Sequence, residues 1–363
     1  MCRVGSVVLG FIVFGLMVLG ITVSAATASA HDARTAIIRA PMLDAHNCYP
    51  EDGQWNDRLA RALATKHTQI GIEQDLVWKR DNRGGGVPVV AHEEELNGGE
   101  PTLEDYFFKT VTPLMDAALK ANRRDTWSLI VLHFDFKTNE PEHHRAVWQL
   151  LKKYERWLTW APRVAGDAVQ ALTVGPMLVL TEAGDGQERD FYTSVPVGER
   201  LLIFGTVPPV QLTTSDDREV QRTAAISASP ETLLPTGATN YRRWANFGWS
   251  VIERGGQKNA GVWDPADAAR LKSIVDRGHS LGLWTRFYTV DGYDPSQNRG
   301  WSDSYNFGSL DAARVRWRAL VAAGVEFVVT NQYEAFAREF PRARSGPESI
   351  PIFPISQKLR RLK

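Results

Sequence analysis

The sequence contains few cysteines and no excess of charge of either sign. Only Cys2 and Cys48 occur in 363 residues, and Cys2 lies in an N-terminal segment that we expect to be removed, so the mature chain has one thiol and no internal disulfide. Lys and Arg together number 42, as do Asp and Glu, so the composition gives no indication of a nucleic-acid partner. No Gly-x-Gly-x-x-Gly motif follows the first predicted strand, and a dinucleotide-binding fold therefore gains no support.

The two ends of the chain differ in composition from the middle. In residues 1–30 the only charged side chain is Arg3, an apolar run follows over residues 4–23, and the segment closes on an Ala-Ser-Ala cleavage signature. This pattern predicts a secretory signal peptide and an exported protein, periplasmic or extracellular; the alternative is that residues 4–23 remain as a membrane anchor. Residues 341–363 form a basic, proline-containing tail that we expect to be disordered, although it can contact an anionic membrane.

Residues 31–340 show the alternation of strands and helices that is typical of an α/β barrel. Short apolar runs predict about eight strands, and helical patterns separate most of them. We therefore predict a single-domain (β/α)₈ TIM barrel, in which catalytic residues lie at the C-terminal ends of the strands. The strands are expected near residues 41, 72, 89, 131, 203, 250, 284 and 327, and helices over residues 56–67, 101–122, 141–158, 265–277 and 310–323.

Carboxylates recur at predicted strand ends. Glu73 and Asp75 stand in the apolar run Ile72–Trp78, and in a strand residues i and i+2 project from the same face. Like charges this close repel unless a positive charge lies between them, and a divalent cation is the simplest candidate. Asp135 on a later strand can complete an oxygen-rich site, for which the absence of thiolate ligands favours Mg²⁺ or Ca²⁺. Each pattern alone is also compatible with a simple ion pair at the barrel rim.

Two histidines are expected beside this cation. His46 follows the first predicted strand and His92 follows the third, so both reach the same end of the barrel. One imidazole can deprotonate an attacking hydroxyl while the other protonates the leaving oxygen, which is the pattern that cleavage of a phosphodiester requires. Lys137, two residues after Asp135, can share with the cation the negative charge on the phosphoryl oxygens. A histidine at a strand end also has a purely structural interpretation, and His133 is most simply a buried, hydrogen-bonded residue.

These motifs resemble the phospholipase-C-like phosphodiesterase superfamily of TIM barrels. The segments that carry the resemblance are Asp44–Asn47, Ile72–Trp78, Val89–His92 and Phe134–Thr138. They are similar to the phosphatidylinositol-phospholipase-C-like family typified by the fungal altered-inheritance-of-mitochondria proteins, and the order His, Glu-x-Asp, His, Asp-x-Lys is similar to sphingomyelinase D. Pro101–Asp105 and Thr330-Asn331 resemble parts of glycerophosphodiester phosphodiesterases.

The resemblance implies a role for each matching residue and one divalent cation, Mg²⁺ or Ca²⁺. The implied residues are the catalytic pair His46 and His92, the metal ligands Glu73, Asp75 and Asp135, and the substrate-phosphate contacts Lys137 and, by analogy with the seventh strand, Arg286. The sequence departs from the family pattern at three places. Asn47 stands where glycerophosphodiesterases have Arg-Gly, His133 replaces an aliphatic residue, and the acidic run Glu93–Glu95 follows the second histidine.

We therefore expect a secreted, monomeric, metal-dependent phosphodiesterase that cleaves a phospholipid or a glycerophosphodiester-type substrate. The product is a cyclic phosphate if the attacking hydroxyl belongs to the substrate, and a monoester if it belongs to water. A glycoside hydrolase barrel with two catalytic carboxylates would account for the 12 tryptophans but would leave His46 and His92 without a role. A catalytically silent barrel that binds lipid or carbohydrate is a further alternative, and it predicts weak or no metal binding.

Overall fold

The computed structural model describes residues 37–38, 41–50, 55–82, 84–123, 127, 129–297 and 301–341. The strands within these residues are β1 (Met42–Ala45), β2 (Gln69–Arg80), β3 (Gly86–Val90), β4 (Leu129–Phe136), β5 (Ala161–Pro162), β6 (Met177–Thr181), β7 (Arg200–Leu201), β8 (Phe204–Thr206), β9 (Arg242–Gly248), β10 (Trp284–Tyr288) and β11 (Phe327–Thr330). Parallel pairing runs around a ring through β1, β2, β4, β6, β8, β9, β10 and β11, and β1 closes the ring by pairing with both β2 and β11. These residues therefore form the predicted (β/α)₈ barrel.

One predicted barrel strand is wrong, and another takes its place. The run near residue 89 forms β3, which pairs antiparallel with the outer half of β2 and lies outside the ring. The connection between Arg80 and Gly86 is far too short for a crossover between parallel strands, which needs about a dozen residues or more, so only a hairpin can form there. The missing member of the ring is β6, a fully buried apolar run between β4 and β8.

The five predicted helices form to within about five residues at each end, and three further helices, over residues 218–227, 230–233 and 333–339, were not predicted. They are α1 (Arg58–Ala64), α2 (Lys109–Ala121), α3 (Pro141–Lys153), α4 (Arg218–Ser227), α5 (Pro230–Leu233), α6 (Pro265–Ser280), α7 (Leu310–Ala323) and α8 (Tyr333–Glu339). A π-helical turn, Glu104–Phe108, leads directly into α2. Asp264 starts α6 through a capping box, in which its side chain accepts from the first turn while Asp267 accepts from its backbone N–H. Helix α7 ends at Gly324, whose φ of 88° is the left-handed conformation that glycine adopts without strain.

The barrel strands are buried along most of their length. Every residue of β2 from Gln69 to Trp78 is buried, as expected for a parallel strand with protein on both faces. Tryptophans fill much of the core. Those among the largest fully buried side chains are Trp157, Trp244, Trp249, Trp284 and Trp317. These five of the 12 tryptophans therefore serve packing rather than ligand contact.

The chain ends lie outside the described residues. This applies to the predicted signal peptide, residues 1–30, and to residues 342–363 of the predicted tail, so both remain predictions. Across the part of the chain that is described, no helix combines the length and apolar composition needed to cross a bilayer. Cys48 is a buried free thiol, and burial raises its pKa far above the ordinary value, which is the opposite of an activated nucleophile.

Candidate active site

The predicted site residues lie at the end of the barrel where the parallel strands terminate, here called the mouth. β1 leads into His46 and β4 leads into Lys137. Asp75 on β2 pairs in register with Asp135 on β4, and Glu73 precedes Asp75 by two residues. Parallel strands end on the same side of the sheet, so these side chains come together although they are distant in sequence.

His92 reaches the mouth by a different route from the one predicted. β2 continues beyond the mouth to Arg80, and β3 returns the chain antiparallel to it. The backbone N–H of Ala91 then donates to the carbonyl oxygen of Asp75 at 3.1 Å. His92 follows at once, so the hairpin places it beside Asp75 even though β3 is not a barrel strand.

Glu73 is held by donors on both carboxylate oxygens. Arg286 Nη2 donates to Oε1 at 2.7 Å, and the backbone N–H of Asn47 donates to Oε2 at 3.0 Å. His46 Nε2 lies 3.5 Å from Oε2. Burial alone would raise the pKa of Glu73, but the positive charges of His46 and Arg286 outweigh it and lower the pKa to about 2. Glu73 is therefore ionised and fixed in orientation.

The carboxylate of Asp75 is less well compensated than that of Glu73. Its Oδ2 accepts from the Tyr49 hydroxyl at 2.9 Å and lies 3.0 Å from Lys137 Nζ, whereas Oδ1 is buried without a hydrogen-bond partner. Burial, together with the nearby charges of Asp135 and Glu73, raises the pKa of Asp75 well above its ordinary value, although Lys137 opposes the rise. Lys137 Nζ also donates to Asp135 Oδ2 at 2.7 Å, so one ammonium group serves two carboxylates. The simple ion pair that the Asp-x-Lys spacing allowed is thus present.

The two histidines contact different carboxylates of the Glu-x-Asp pair. His46 is mostly buried, with a side-chain exposure of 13%, and its Nδ1 lies 3.0 Å from Asn331 Nδ2. His92 is more open, with an exposure of 44%. Its Nε2 lies 4.0 Å from Asp75 Oδ2, and its Nδ1 lies 2.6 Å from Glu93 Oε1. Both rings therefore direct Nε2 toward the carboxylates of the mouth.

Arg286 lies deeper than the predicted phosphate contact requires. Its side chain is 2% exposed, and its Nε donates to Asp44 Oδ2 at 2.7 Å in addition to the contact with Glu73. His133 Nδ1 lies 3.0 Å from the same oxygen of Asp44. The guanidinium is thus already committed to protein carboxylates, so this placement does not support a contact with substrate phosphate. Asp44 was not predicted as a site residue, although it precedes His46 by two residues and the i, i+2 rule would have found it.

Two further residues at the mouth were missed. Glu182 follows β6, accepts from Asn246 Nδ2 at 2.8 Å, and lies 3.5 Å from Arg286 Nη1. Burial raises the pKa of Glu182 to about 7, with Arg286 opposing and the neighbouring carboxylates adding to the rise. Tyr305, from the long segment after β10, places its ring centroid 6.2 Å from that of His46. No local pattern marks Tyr305, because a loop residue reaches the mouth only through the path of that segment.

The acids described so far are called the acidic cluster below; they are Asp44, Glu73, Asp75, Asp135 and Glu182. Within the described ranges, no three His, Cys, Asp or Glu side chains are arranged as a ready-made metal site. The donor chemistry nevertheless fits Mg²⁺ or Ca²⁺, because the candidate ligands are hard carboxylate oxygens and Asp75 Oδ1 is buried without a partner. A cation would supply what that oxygen lacks.

Searches against protein-family models and among curated proteins both found no match. Among solved structures, the chain is similar to a glycerophosphoryl diester phosphodiesterase from Parabacteroides distasonis ATCC 8503, with 14% identity, 86% of this chain and 90% of that chain covered, and a TM-score of 0.38. A glycerophosphodiester phosphodiesterase from Agrobacterium tumefaciens str. C58 shows 13% identity, coverage of 82% and 99%, and a TM-score of 0.31. The HPPK-DHPS A437G protein of Plasmodium falciparum shows 9% identity, coverage of 83% and 47%, and a TM-score of 0.39. The barrel assignment rests on the strand pairing itself, and the functional argument rests on the mouth.

Proposed function

We propose that this chain is a phosphodiesterase in which His46 and His92 act as the acid–base pair beside a divalent cation. One observation carries the proposal: each imidazole approaches one carboxylate of the Glu-x-Asp pair through Nε2. The distances are 3.5 Å from His46 to Glu73 Oε2 and 4.0 Å from His92 to Asp75 Oδ2. Two proton-transfer groups thus border an oxygen-rich centre, as cleavage of a phosphorus–oxygen bond requires.

Other residues of the mouth would bind the cation, contact the phosphate and orient Glu73. Glu73, Asp75 and Asp135 would hold the cation, which would supply positive charge to the phosphoryl oxygens. The ammonium group of Lys137 has three N–H donors. Two of them face Asp75 and Asp135, and the third is left for a phosphoryl oxygen. Arg286 keeps Glu73 ionised and oriented rather than binding substrate itself.

The proposed substrate is a phospholipid or a glycerophosphodiester-type molecule. One histidine would take the proton of the attacking hydroxyl, and the other would face the leaving oxygen with a proton. The attacking hydroxyl belongs either to the substrate, giving a cyclic phosphate, or to water, giving a monoester, and analysis of the product distinguishes these. We also propose that the protein acts outside the cytoplasm after removal of residues 1–30, on the basis of the N-terminal sequence.

The direct test is hydrolysis of bis-(p-nitrophenyl) phosphate, glycerophosphodiesters, phosphatidylinositol and lysophospholipids in the presence of Mg²⁺, Ca²⁺ or EDTA. We expect cation-dependent activity, and a loss of about 10²-fold or more for His46→Ala and for His92→Ala. Glu73→Gln should raise the cation concentration needed for half-maximal activity, because it removes one charged ligand.

Activity that survives EDTA would contradict the role of the cation, and activity that survives both histidine substitutions would contradict the acid–base pair. Hydrolysis of glycosides but not of diesters would favour the glycoside hydrolase alternative. Absence of any hydrolysis, together with weak cation binding by calorimetry, would favour a silent binding barrel. His67→Ala is a suitable control, since this histidine lies outside the mouth, with its ring centroid 6.2 Å from that of Phe336.

A further inference from the structure

The two oxygens of the Asp75 carboxylate have different surroundings. Oδ2 accepts from the Tyr49 hydroxyl at 2.9 Å and lies 3.0 Å from Lys137 Nζ. Oδ1 is buried and has no hydrogen-bond partner among the described residues. Each carboxylate oxygen has two lone pairs, so donors of the protein occupy both lone pairs of Oδ2, whereas those of Oδ1 are open. The carboxylate therefore offers a single oxygen to any further ligand.

The turn that carries Tyr49 is tied to β2, so the hydroxyl has a fixed position. The backbone N–H groups of Asn47 and Cys48 donate to Glu73, at 3.0 Å to Oε2 and at 3.2 Å to the carbonyl oxygen. Gln74 Nε2 donates to the carbonyl oxygen of Cys48 at 2.5 Å. The Tyr49 ring is fully buried, and close packing prevents it from swinging away from Asp75.

The Tyr49 hydroxyl has one proton and two neighbouring oxygens. Asn47 Oδ1 lies 3.0 Å from the phenol oxygen, and Asp75 Oδ2 lies 2.9 Å from it. A charged acceptor makes the stronger hydrogen bond, so the proton belongs to Asp75 when that carboxyl group is ionised. Rotation of the Asn47 amide by half a turn then directs its NH₂ group to the phenol oxygen. Both contacts of the hydroxyl are thus satisfied while Oδ2 stays occupied.

We propose that Tyr49 and Lys137 restrict Asp75 to coordination through Oδ1 alone and thereby make the site selective for Mg²⁺ over Ca²⁺. The inference rests on the divalent cation of the proposed function. Mg²⁺ requires nearly octahedral coordination with ligands at about 2.0–2.1 Å, and carboxylates that each supply one oxygen meet this requirement. Ca²⁺ takes about six to eight oxygen ligands and often both oxygens of one carboxylate. An Asp75 with Oδ2 already occupied cannot supply the second oxygen.

The other two candidate ligands are less restricted than Asp75. Lys137 Nζ donates to Asp135 Oδ2 at 2.7 Å, which engages one lone pair of that oxygen. Glu73 has one donor on each oxygen, Arg286 on Oε1 and the backbone N–H of Asn47 on Oε2, so one lone pair remains on each. Asp75 therefore discriminates most strongly between the two cations, and Tyr49 acts as a positioning residue through it.

The experiment is calorimetric titration of the full chain with MgCl₂ and with CaCl₂ at one fixed pH. Tyr49→Phe removes one donor to Asp75 Oδ2 and keeps the ring, and Lys137→Met removes the other donor at a half-buried position. Loss of a donor changes the affinity for both cations, so the ratio of the Ca²⁺ to the Mg²⁺ dissociation constant is the informative quantity. Tyr192→Phe is the matched control, because this buried tyrosine donates its hydroxyl outside the mouth, to the Gly166 carbonyl oxygen at 2.6 Å.

We expect the wild type to bind Mg²⁺ more tightly than Ca²⁺, and the ratio to fall by about 10-fold in Tyr49→Phe. It should fall in the same direction in Lys137→Met, which decides the matter if Tyr49→Phe does not fold, and stay unchanged in Tyr192→Phe. A wild type that prefers Ca²⁺ overturns the inference, and so does a ratio that neither substitution changes.

These titrations need no substrate, so they separate this inference from the proposed function. A cation that binds without the expected preference refutes the selectivity alone and leaves the proposed reaction standing. Binding of neither cation refutes the proposed cation, and the selectivity with it. A wild type that binds Mg²⁺ with the expected preference but hydrolyses no diester refutes the proposed function alone.

Discussion

Replacement of Arg286 by Gln tests how the barrel holds the carboxylate of Glu73. The guanidinium is 2% exposed and donates to Glu73 and to Asp44, at 2.7 Å in each case. Its removal leaves two buried carboxylates without their countercharge, and breaking a buried ion pair from one side costs about 3–5 kcal/mol. The free energy of unfolding of a typical domain is roughly 5–15 kcal/mol, so this loss is a large part of the total.

The pKa of Glu73 gives the pH dependence of this loss. Burial alone would raise it, but the charges of His46 and Arg286 outweigh burial and lower the pKa to about 2, so Arg286 supplies part of the lowering. Because the folded-state pKa is depressed, this stabilisation is present above pH 4.5 and is lost as the pH falls through about 2. The deficit of Arg286→Gln should therefore be largest near neutral pH and shrink below pH 4.5.

The measurement is urea unfolding of the wild type and of Arg286→Gln across this pH range, with diester hydrolysis measured on the folded proteins. Arg316→Gln is the matched control, because Arg316 forms an equally buried pair with Glu253, at 2.8 Å and 3.0 Å, away from the mouth. Both variants should lose stability, but only Arg286→Gln should lose activity. The reasoning is refuted if Arg286→Gln is as stable as the wild type at neutral pH, or if both variants retain full activity.

Three other perturbations test the surroundings of the acidic cluster. In Gly71→Ala the new Cβ would clash with Asp44 Oδ1, so thermal unfolding should show a loss of about 1–3 kcal/mol, whereas Gly261→Ala, with open space around it, should show none. Burial raises the pKa of Glu182 to about 7, so its contribution to stability is present below pH 4.5 and is lost as the pH rises through 7. The unfolding free energy of the wild type should therefore fall by about 1–3 kcal/mol over that range, and this fall should be absent in Glu182→Gln. Binding of Mg²⁺ or Ca²⁺ should release protons, because burial raises the pKa of Asp75 well above its ordinary value and that of Glu182 to about 7, and a bound cation favours the ionised carboxylates. A pH-stat titration at pH 7 with no proton release would argue against carboxylate ligation.

Much of the site follows from spacing in the sequence. The i, i+2 rule correctly places Glu73 and Asp75 together, because a strand repeats every two residues whatever it pairs with. The same rule places Lys137 beside Asp135. His92 reaches the expected position although the barrel strand assigned before it is wrong, because a hairpin return and a crossover strand both bring the chain back to the mouth.

The partners of Arg286 could not be predicted in this way. Asp44 and Glu73 precede it by 242 and 213 residues, so their contact depends on which strands close the ring and on their stagger. Local sequence patterns do not show which strands pair around the barrel. β3 was predicted as a barrel strand but lies outside the ring, and β6, which was not counted, belongs to it. The contact of Asn331 with His46 is of the same kind, since it joins the last barrel strand to the first.

The acidic cluster contains more negative charge than the neighbouring cations can balance. Five carboxylates surround Arg286 and Lys137, and each of these cations already serves more than one of them. The imbalance appears in the raised pKa of Asp75 and of Glu182, since a carboxyl group keeps its proton where positive charge is short. A proton on these groups and a divalent cation between them are alternative ways to supply the same missing charge. The simple ion pairs and the predicted metal site are therefore compatible interpretations of the same spacing, and proton release on cation binding is the observation that links them.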